Sequence, residues 1–129
     1  MVEPRTSSRA EIRVLDLFSG AGGLSTGFAA ESTRFRTIRA VEHDKTAAAT
    51  YAENHDPDTV FAGGIEDWLK SECAPDADVV IGGPPCQGFA ALGKQEKLDE
   101  RNQLWLRYAE TIRKSEPKYF VLENVPQFL

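Results

Sequence analysis

Short runs of branched apolar residues alternate along this chain with stretches of good helix formers. Ile12-Arg-Val-Leu-Asp-Leu-Phe18 is such a run and predicts a buried strand. It stops at Ser19-Gly20-Ala21-Gly22-Gly23, a turn that glycine makes without the steric cost of a Cβ. Residues 24–31 read as a helix, 37–41 as a second strand, and the Ala-rich stretch 45–55 as a second helix. A weak strand at 59–61 and a short helix at 65–70 precede a fourth strand at 78–82. The loop over 83–100 carries Gly83, Pro84, Pro85, Gly88 and Gly93. A helix over 102–114, capped by Asn102, and a continuous apolar strand at 119–122 complete the pattern. Strands alternating with helices at this spacing predict βαβ units. The expected fold is α/β, an open, doubly wound, mostly parallel sheet over 12–129, with 1–11 as a flexible lead-in.

Length and composition agree with one such domain. The chain has 129 residues, of which 41% are hydrophobic, enough for a buried core. No apolar run approaches the roughly 18 residues of a membrane-spanning helix, so no membrane partner is expected. The opening eleven residues are polar, without the apolar segment of a signal peptide. Cys73 and Cys86 match neither a disulfide scaffold nor a multi-cysteine zinc site. These features predict a reduced, cytoplasmic protein.

Charge complicates the choice of partner. Fifteen Lys and Arg stand against 20 Asp and Glu, a net charge of −5. Between Ala40 and Val80 the acids Glu42, Asp44, Glu53, Asp56, Asp58, Glu66, Asp67, Glu72, Asp76 and Asp78 face only Lys45 and Lys70. A protein that grips nucleic acid alone usually shows a basic excess, because neutralised phosphates release counterions. If nucleic acid is the substrate, much of the grip must come from outside this chain.

In an open parallel sheet, ligands bind beyond the carboxyl ends of the strands. The segments leaving those ends are Ser19 to Gly23, Glu42 to Asp44, the loop around Cys86, and Glu123-Asn124. Asp78 precedes its strand and belongs on the opposite rim. The glycine turn allows close backbone approach by a ligand, and Glu42, 20 residues beyond Gly22, suits a carboxylate bonding ribose hydroxyls. A tight turn beside a surface acid is the plainer alternative. The third glycine of a dinucleotide fingerprint is displaced to Gly27, so a pyrophosphate is not specifically indicated. Gly82-Gly-Pro-Pro-Cys-Gln-Gly-Phe89 is a stiff irregular platform presenting a thiol, although a lone Cys is more often an inert buried residue. Glu123 should share that rim, where it is either a solvated strand-end acid or a proton donor and acceptor beside the thiol. His43 has no second ligand at metal-binding spacing, so no metal is expected. His43 and His55 read as polar surface or pocket residues.

Asp16-Leu-Phe-Ser-Gly-Ala-Gly-Gly23, Val41-Glu-His-Asp44, Gly82 to Phe89, Arg101-Asn-Gln-Leu104 and Glu123-Asn-Val125 occur in the order found in the DNA (cytosine-5) methyltransferases. The chain resembles that family from about Arg13 to Leu129. The resemblance implies a Rossmann-like fold that binds S-adenosylmethionine, with strand order 3-2-1-4-5. It implies that Phe18 packs on the adenine, that Ser19, Gly20, Gly22 and Gly23 form the cofactor turn, and that Glu42 bonds the ribose. His43 would stack on the adenine, and Ile65, Pro84 and Leu104 would line the same pocket. Cys86 would be the nucleophile and Glu123 the acid that holds the target ring, with Gln87, Arg101 and Asn124 contacting substrate. The implied substrate is double-stranded DNA with a flipped cytosine, because the base cannot be reached inside the stack.

The chain also departs from the family pattern. Gly64 stands where an aspartate usually bonds the adenine amino group, and Ala90 where Ser is common. The family's later blocks, including the target-recognition region, have no counterpart in these 129 residues. The expectation is therefore the N-terminal catalytic portion of such an enzyme, a truncated chain or one subunit paired with a complementary C-terminal one. A non-catalytic, partner-binding remnant and a tRNA cytosine methyltransferase are the alternatives. Tyr119 to Leu122 would then be an exposed apolar edge, open to self-association.

Overall fold

A computed structural model describes residues 10–85 and 95–123, with 95–102 as backbone alone. The elements are β1 (Ile12–Leu17), α1 (Gly23–Glu31), β2 (Phe35–Glu42), α2 (Lys45–Asn54), a 3-10 turn at Pro57–Thr59, β3 (Val60–Ala62), α3 (Ile65–Ser71), β4 (Val79–Gly82), α4 (Gln95–Ser115) and β5 (Tyr119–Leu122). They form one five-stranded sheet in the order β3-β2-β1-β4-β5, every neighbouring pair parallel. This is the expected doubly wound topology. Its direction reverses between β1 and β4, so the strand ends that open a ligand crevice are those of β1, β2 and β4.

The alternation of side chains along β1 divides the core in two. Leu15 and Leu17 join Val41, Val80, Ile65, Trp68 and Tyr108 on the face covered by α3 and α4. Val14 joins Val79 and Ile81 on the other face, where Leu24 and Phe28 of α1 cover them. Tyr51 of α2 reaches Ser25 of α1, which places α2 on that same face. Fully burying a side chain of Val, Leu or Ile size is worth about 1.5–3 kcal/mol, so the β1 positions anchor both layers.

Local chemistry sets most boundaries. The Asp44 side chain accepts from the Ala47 N–H at 2.8 Å and starts α2, and Asp56 caps the 3-10 turn through the Asp58 N–H at 3.0 Å. Asp78 lies on the rim opposite the strand ends, as expected, where its carboxylate accepts from the Arg13 N–H at 2.8 Å. Several boundaries differ from the sequence expectation, most of them by one residue, and three of the differences have a clear local cause. β2 begins at Phe35 because pairing with Ile12 extends the ladder two residues back. β3 lies one residue later than expected, since the 3-10 turn takes Thr59. Asn102 does not start a helix: α4 begins at Gln95, the run Gln95-Glu-Lys-Leu-Asp-Glu-Arg101 consisting almost wholly of good helix formers.

Ala10 and Glu11 are tied to the chain leading into and along β2, through Arg34 to the Ala10 carbonyl and through an Arg36–Glu11 ion pair at 3.2 Å. At the other side of the sheet, among the described residues, β5 pairs only with β4. Its residues Tyr119, Phe120, Val121 and Leu122 are 72%, 59%, 39% and 37% exposed, so the expected apolar edge is present and, among the described residues, uncovered on both faces.

Candidate active site

The turn after β1 is built on three residues in left-handed backbone conformations. Phe18 has φ 56°, Gly20 φ 56° and Gly22 φ 96°. Phe18 is therefore not the last residue of a strand: its backbone breaks away, and its ring packs against the α3/α4 side of the core. For a non-glycine residue such a φ is uncommon and marks a constrained site. The Ser19 N–H donates to the Val41 carbonyl at 3.1 Å and the Gly22 N–H to the Ser19 carbonyl at 3.0 Å, which closes the turn against β2.

Glu42 holds the same turn from its front. One carboxylate oxygen accepts from the Gly20 N–H at 2.8 Å, and the other accepts from the Asp44 N–H at 2.9 Å. The His43 Nδ1 lies 3.3 Å from that second oxygen. Glu42 is buried, and two carboxylate oxygens offer about four acceptor positions, so these bonds leave capacity for hydroxyl donors. The spacing of Glu42 from the glycine turn thus reports a direct contact, not a surface acid.

Beside this turn opens a pocket of about 290 Å³, lined by Phe18, Val41, His43, Gly63, Gly64, Ile65, Glu66, Asp67, Pro85 and Leu104. Four expected residues, Phe18, His43, Ile65 and Leu104, meet there from four different segments. Pro84 is buried next to the lining residue Pro85. Sequence reasoning missed Val41, Pro85, Glu66 and Asp67. The two acids sit in the first turn of α3, whose N-terminal Gly64 supplies no side-chain cap, and acids in a first helical turn complement the helix dipole. Only their position relative to the glycine turn, a tertiary fact, marks them as pocket residues. Apolar walls with polar groups at one end suit a heteroaromatic ring system with a hydroxylated appendage.

The third part of the rim joins β4 to β5. The Glu123 N–H donates to the Gly82 carbonyl at 2.9 Å. A Cβ on Gly83 would lie 2.5 Å from Glu123 Oε2 and 3.2 Å from its carbonyl oxygen, so the Glu123 side chain lies directly over Gly83. Glu123 is exposed. Its carboxylate is thereby held over the stem of the segment that leads to Cys86. Cys86, Gln87 and Asn124 lie outside the described residues, as does the side chain of Arg101, whose backbone belongs to α4.

Beneath the turn, Asp16 is fully buried. Burial pushes its carboxyl up to about 6, opposed by bonds from the Ser25 hydroxyl and backbone N–H and assisted by the nearby charge of Glu42.

The family model described as C-5 cytosine-specific DNA methylase matches residues 12–129. The chain belongs to that family. Among curated relatives it is 41% identical over 122 residues to the type II methyltransferase M.AgeI of Thalassovita gelatinovora, covering 88% of this chain and 28% of that protein. It is 36% identical over 119 residues to M.NgoPII of Neisseria gonorrhoeae, covering 92% of this chain and 34% of the relative. The chain therefore spans about a third of the length of these relatives. Its fold superposes on the S. pombe Dnmt2 methyltransferase with a TM-score of 0.74 at 27% identity, over 92% of this chain and 37% of the other. Among the described residues, no helix is long and apolar enough to cross a membrane.

Proposed function

We propose that this chain is the cofactor-binding and nucleophile-bearing part of an enzyme that methylates cytosine at C5 in DNA, using S-adenosylmethionine. The observation that carries the reading is the Glu42–Gly20 clamp beside the pocket of Phe18, His43, Ile65 and Leu104. These residues fit the cofactor: apolar walls take the adenine, the Glu42 oxygens have acceptor positions left for ribose hydroxyls, and the glycine turn presents backbone to the remainder. When bound, S-adenosylmethionine supplies an electrophilic methyl group on a sulfonium.

The chain's own residues do the rest. Cys86, as thiolate, attacks C6 of the flipped cytosine and forms a C–S bond, which places enamine-like electron density on C5. Glu123 bonds the ring at N3 and the exocyclic amine and offsets the charge that develops there. With the methyl group on C5, loss of the C5 proton to a base expels the Cys86 thiolate and restores the ring. Gln87, Arg101 and Asn124 contact the substrate around this centre. The placement of Glu123 over Gly83 supports the pairing of acid and thiol on one rim.

The direct test is methyl transfer to double-stranded DNA, with trapping of a covalent complex on DNA containing 5-fluorocytosine. Cys86→Ala should abolish both, and a structured-RNA substrate should give neither. Absence of any adduct, with or without the remaining polypeptide of the enzyme, would leave a non-catalytic binding module as the reading. The uncovered β5 strand supports a companion: the relatives carry about twice as much further polypeptide, and pairing on β5 would bury its apolar residues. Complementation by a C-terminal subunit should yield a heterodimer. The chain alone should self-associate through the same strand.

A further inference from the structure

We infer that Tyr51 is a positioning residue for the cofactor turn, acting through a saturated hydroxyl node at Ser25 and through its own ring against Gly22. The inference rests on the cofactor reading above and extends it to a helix that touches no part of the pocket.

The Ser25 hydroxyl has one proton to give and two lone pairs to receive with. All three capacities are used. It donates to Asp16 Oδ2 at 2.6 Å, and it accepts from Tyr51 OH at 3.0 Å and from Thr37 Oγ1 at 3.1 Å. Asp16 in its carboxylate form can only accept, so the direction of every bond in the node follows from that end. Ser25, Asp16 and Tyr51 are buried, and four elements meet at this one oxygen: β1, α1, β2 and α2. Asp16 Oδ1 has no partner among the described residues, so Ser25 is the only side chain bonded to that carboxylate among them.

The node matters to the turn because α1 lacks the usual device for fixing its start. Its N-cap is Gly22, with no side chain to bond the first-turn N–H groups. In place of a cap, the turn is backed by two rings, that of Tyr51 in α2 and that of His55, the residue following the helix. A Cβ on Gly22 would fall 2.7 Å from Tyr51 Cδ2 and 2.7 Å from His55 Nε2. Those rings stack on each other with centroids 4.4 Å apart and 30° between planes, and His55 Nε2 lies 3.1 Å from the Thr26 hydroxyl. Glu42 holds Gly20 from the front while Tyr51 and His55 hold Gly22 from behind. The Tyr51 hydroxyl pins its ring to α1, so the backbone of the turn keeps the shape that a ligand would meet.

The test compares Tyr51→Phe with Tyr108→Phe in the full chain. Both remove one buried hydroxyl; Tyr108 OH donates to the Val121 carbonyl at 3.2 Å, on the α4 side. Binding of S-adenosylhomocysteine by calorimetry, thermal melting, and the amide shifts of Gly20 and Gly22 by NMR are the readouts. Both variants should lower the melting temperature by a few degrees. Tyr51→Phe should weaken S-adenosylhomocysteine binding about 5- to 10-fold and move both glycine amides. Tyr108→Phe should do neither. In a Ser25→Ala background, Tyr51→Phe should add little further loss of affinity, because the node is already gone. Unchanged affinity in Tyr51→Phe, with wild type binding normally, would overturn the positioning role and leave the cofactor reading intact. Equal losses of affinity in both variants would reduce Tyr51 to general stability and also overturn it. No binding by the wild type would overturn the cofactor reading and this inference together.

Discussion

Asp16→Asn isolates the energetic cost of a buried carboxylate under the glycine turn. Asp16 is fully buried, and its carboxyl is raised from 3.8 to about 6, burial being the largest cause. The folded chain therefore holds a proton on Asp16 more tightly than the unfolded chain does. Between those two values the folded state binds more protons, so this group's contribution to stability falls as pH rises and levels off above about 6. Each pH unit separating the two values is worth about 1.4 kcal/mol, so the full change is about 3 kcal/mol, of which about 2 kcal/mol falls between pH 4.5 and 7.5. Asn cannot ionise but keeps an oxygen to accept from Ser25 Oγ, which now lies 2.6 Å from Asp16 Oδ2. The assay is urea unfolding of wild type and variant across that range, read as the difference between them, which cancels the titration of shared groups. The variant should gain about 2 kcal/mol on wild type as the pH is raised. A difference that is flat with pH would refute the burial argument. A difference of opposite sign would mean that the ionised carboxylate is the form the fold prefers.

Gly22→Ala should cost at least about 2 kcal/mol in the same unfolding assay, since φ is 96° and a methyl group would meet Tyr51 and His55 at 2.7 Å. Gly83→Ala should leave stability within about 1 kcal/mol, because the Glu123 carboxylate can swing away from the new methyl group, yet lower methyl transfer at least tenfold by displacing that acid. Gly64→Asp meets open space and the uncapped start of α3, so it should raise stability by about 1 kcal/mol and tighten S-adenosylhomocysteine binding, both measurable in one titration series.

The order of elements was legible because each strand is a short apolar run bounded by turn residues, and two of the boundary acids act within a few residues of themselves. Asp44 and Asp56 cap the segments they precede, as short-range chemistry allows. The start of α4 was not legible, because an Asn before an apolar helix reads as a cap unless the preceding residues also form helix. β2 began early for a different reason: its first residues are strand only by virtue of pairing with β1. Of the residues that gather at the turn and the pocket beside it, Phe18, Glu42, Ile65 and Leu104 stood out by their motifs, whereas Glu66 and Asp67 looked like ordinary acids of a helix start. Tyr51 gave no signal at all. Its placement depends on a bond across 26 residues to a serine whose other partners lie on two strands.

The sequence by itself determined the alternation of strands and helices, the glycine turn, and the family to which the chain belongs, since all of these are written in residues close together along the chain. Tertiary structure decided which groups touch: Glu42 on Gly20, Glu123 over Gly83, and Tyr51 behind Gly22. Those contacts arise because parallel pairing brings the ends of strands far apart in sequence to one rim, and because α1 and α2 pack side by side on one face of the sheet. It also decided that β5 stands uncovered at the sheet's edge among the described residues, because exposure depends on what packs against a strand and not on the strand's own residues.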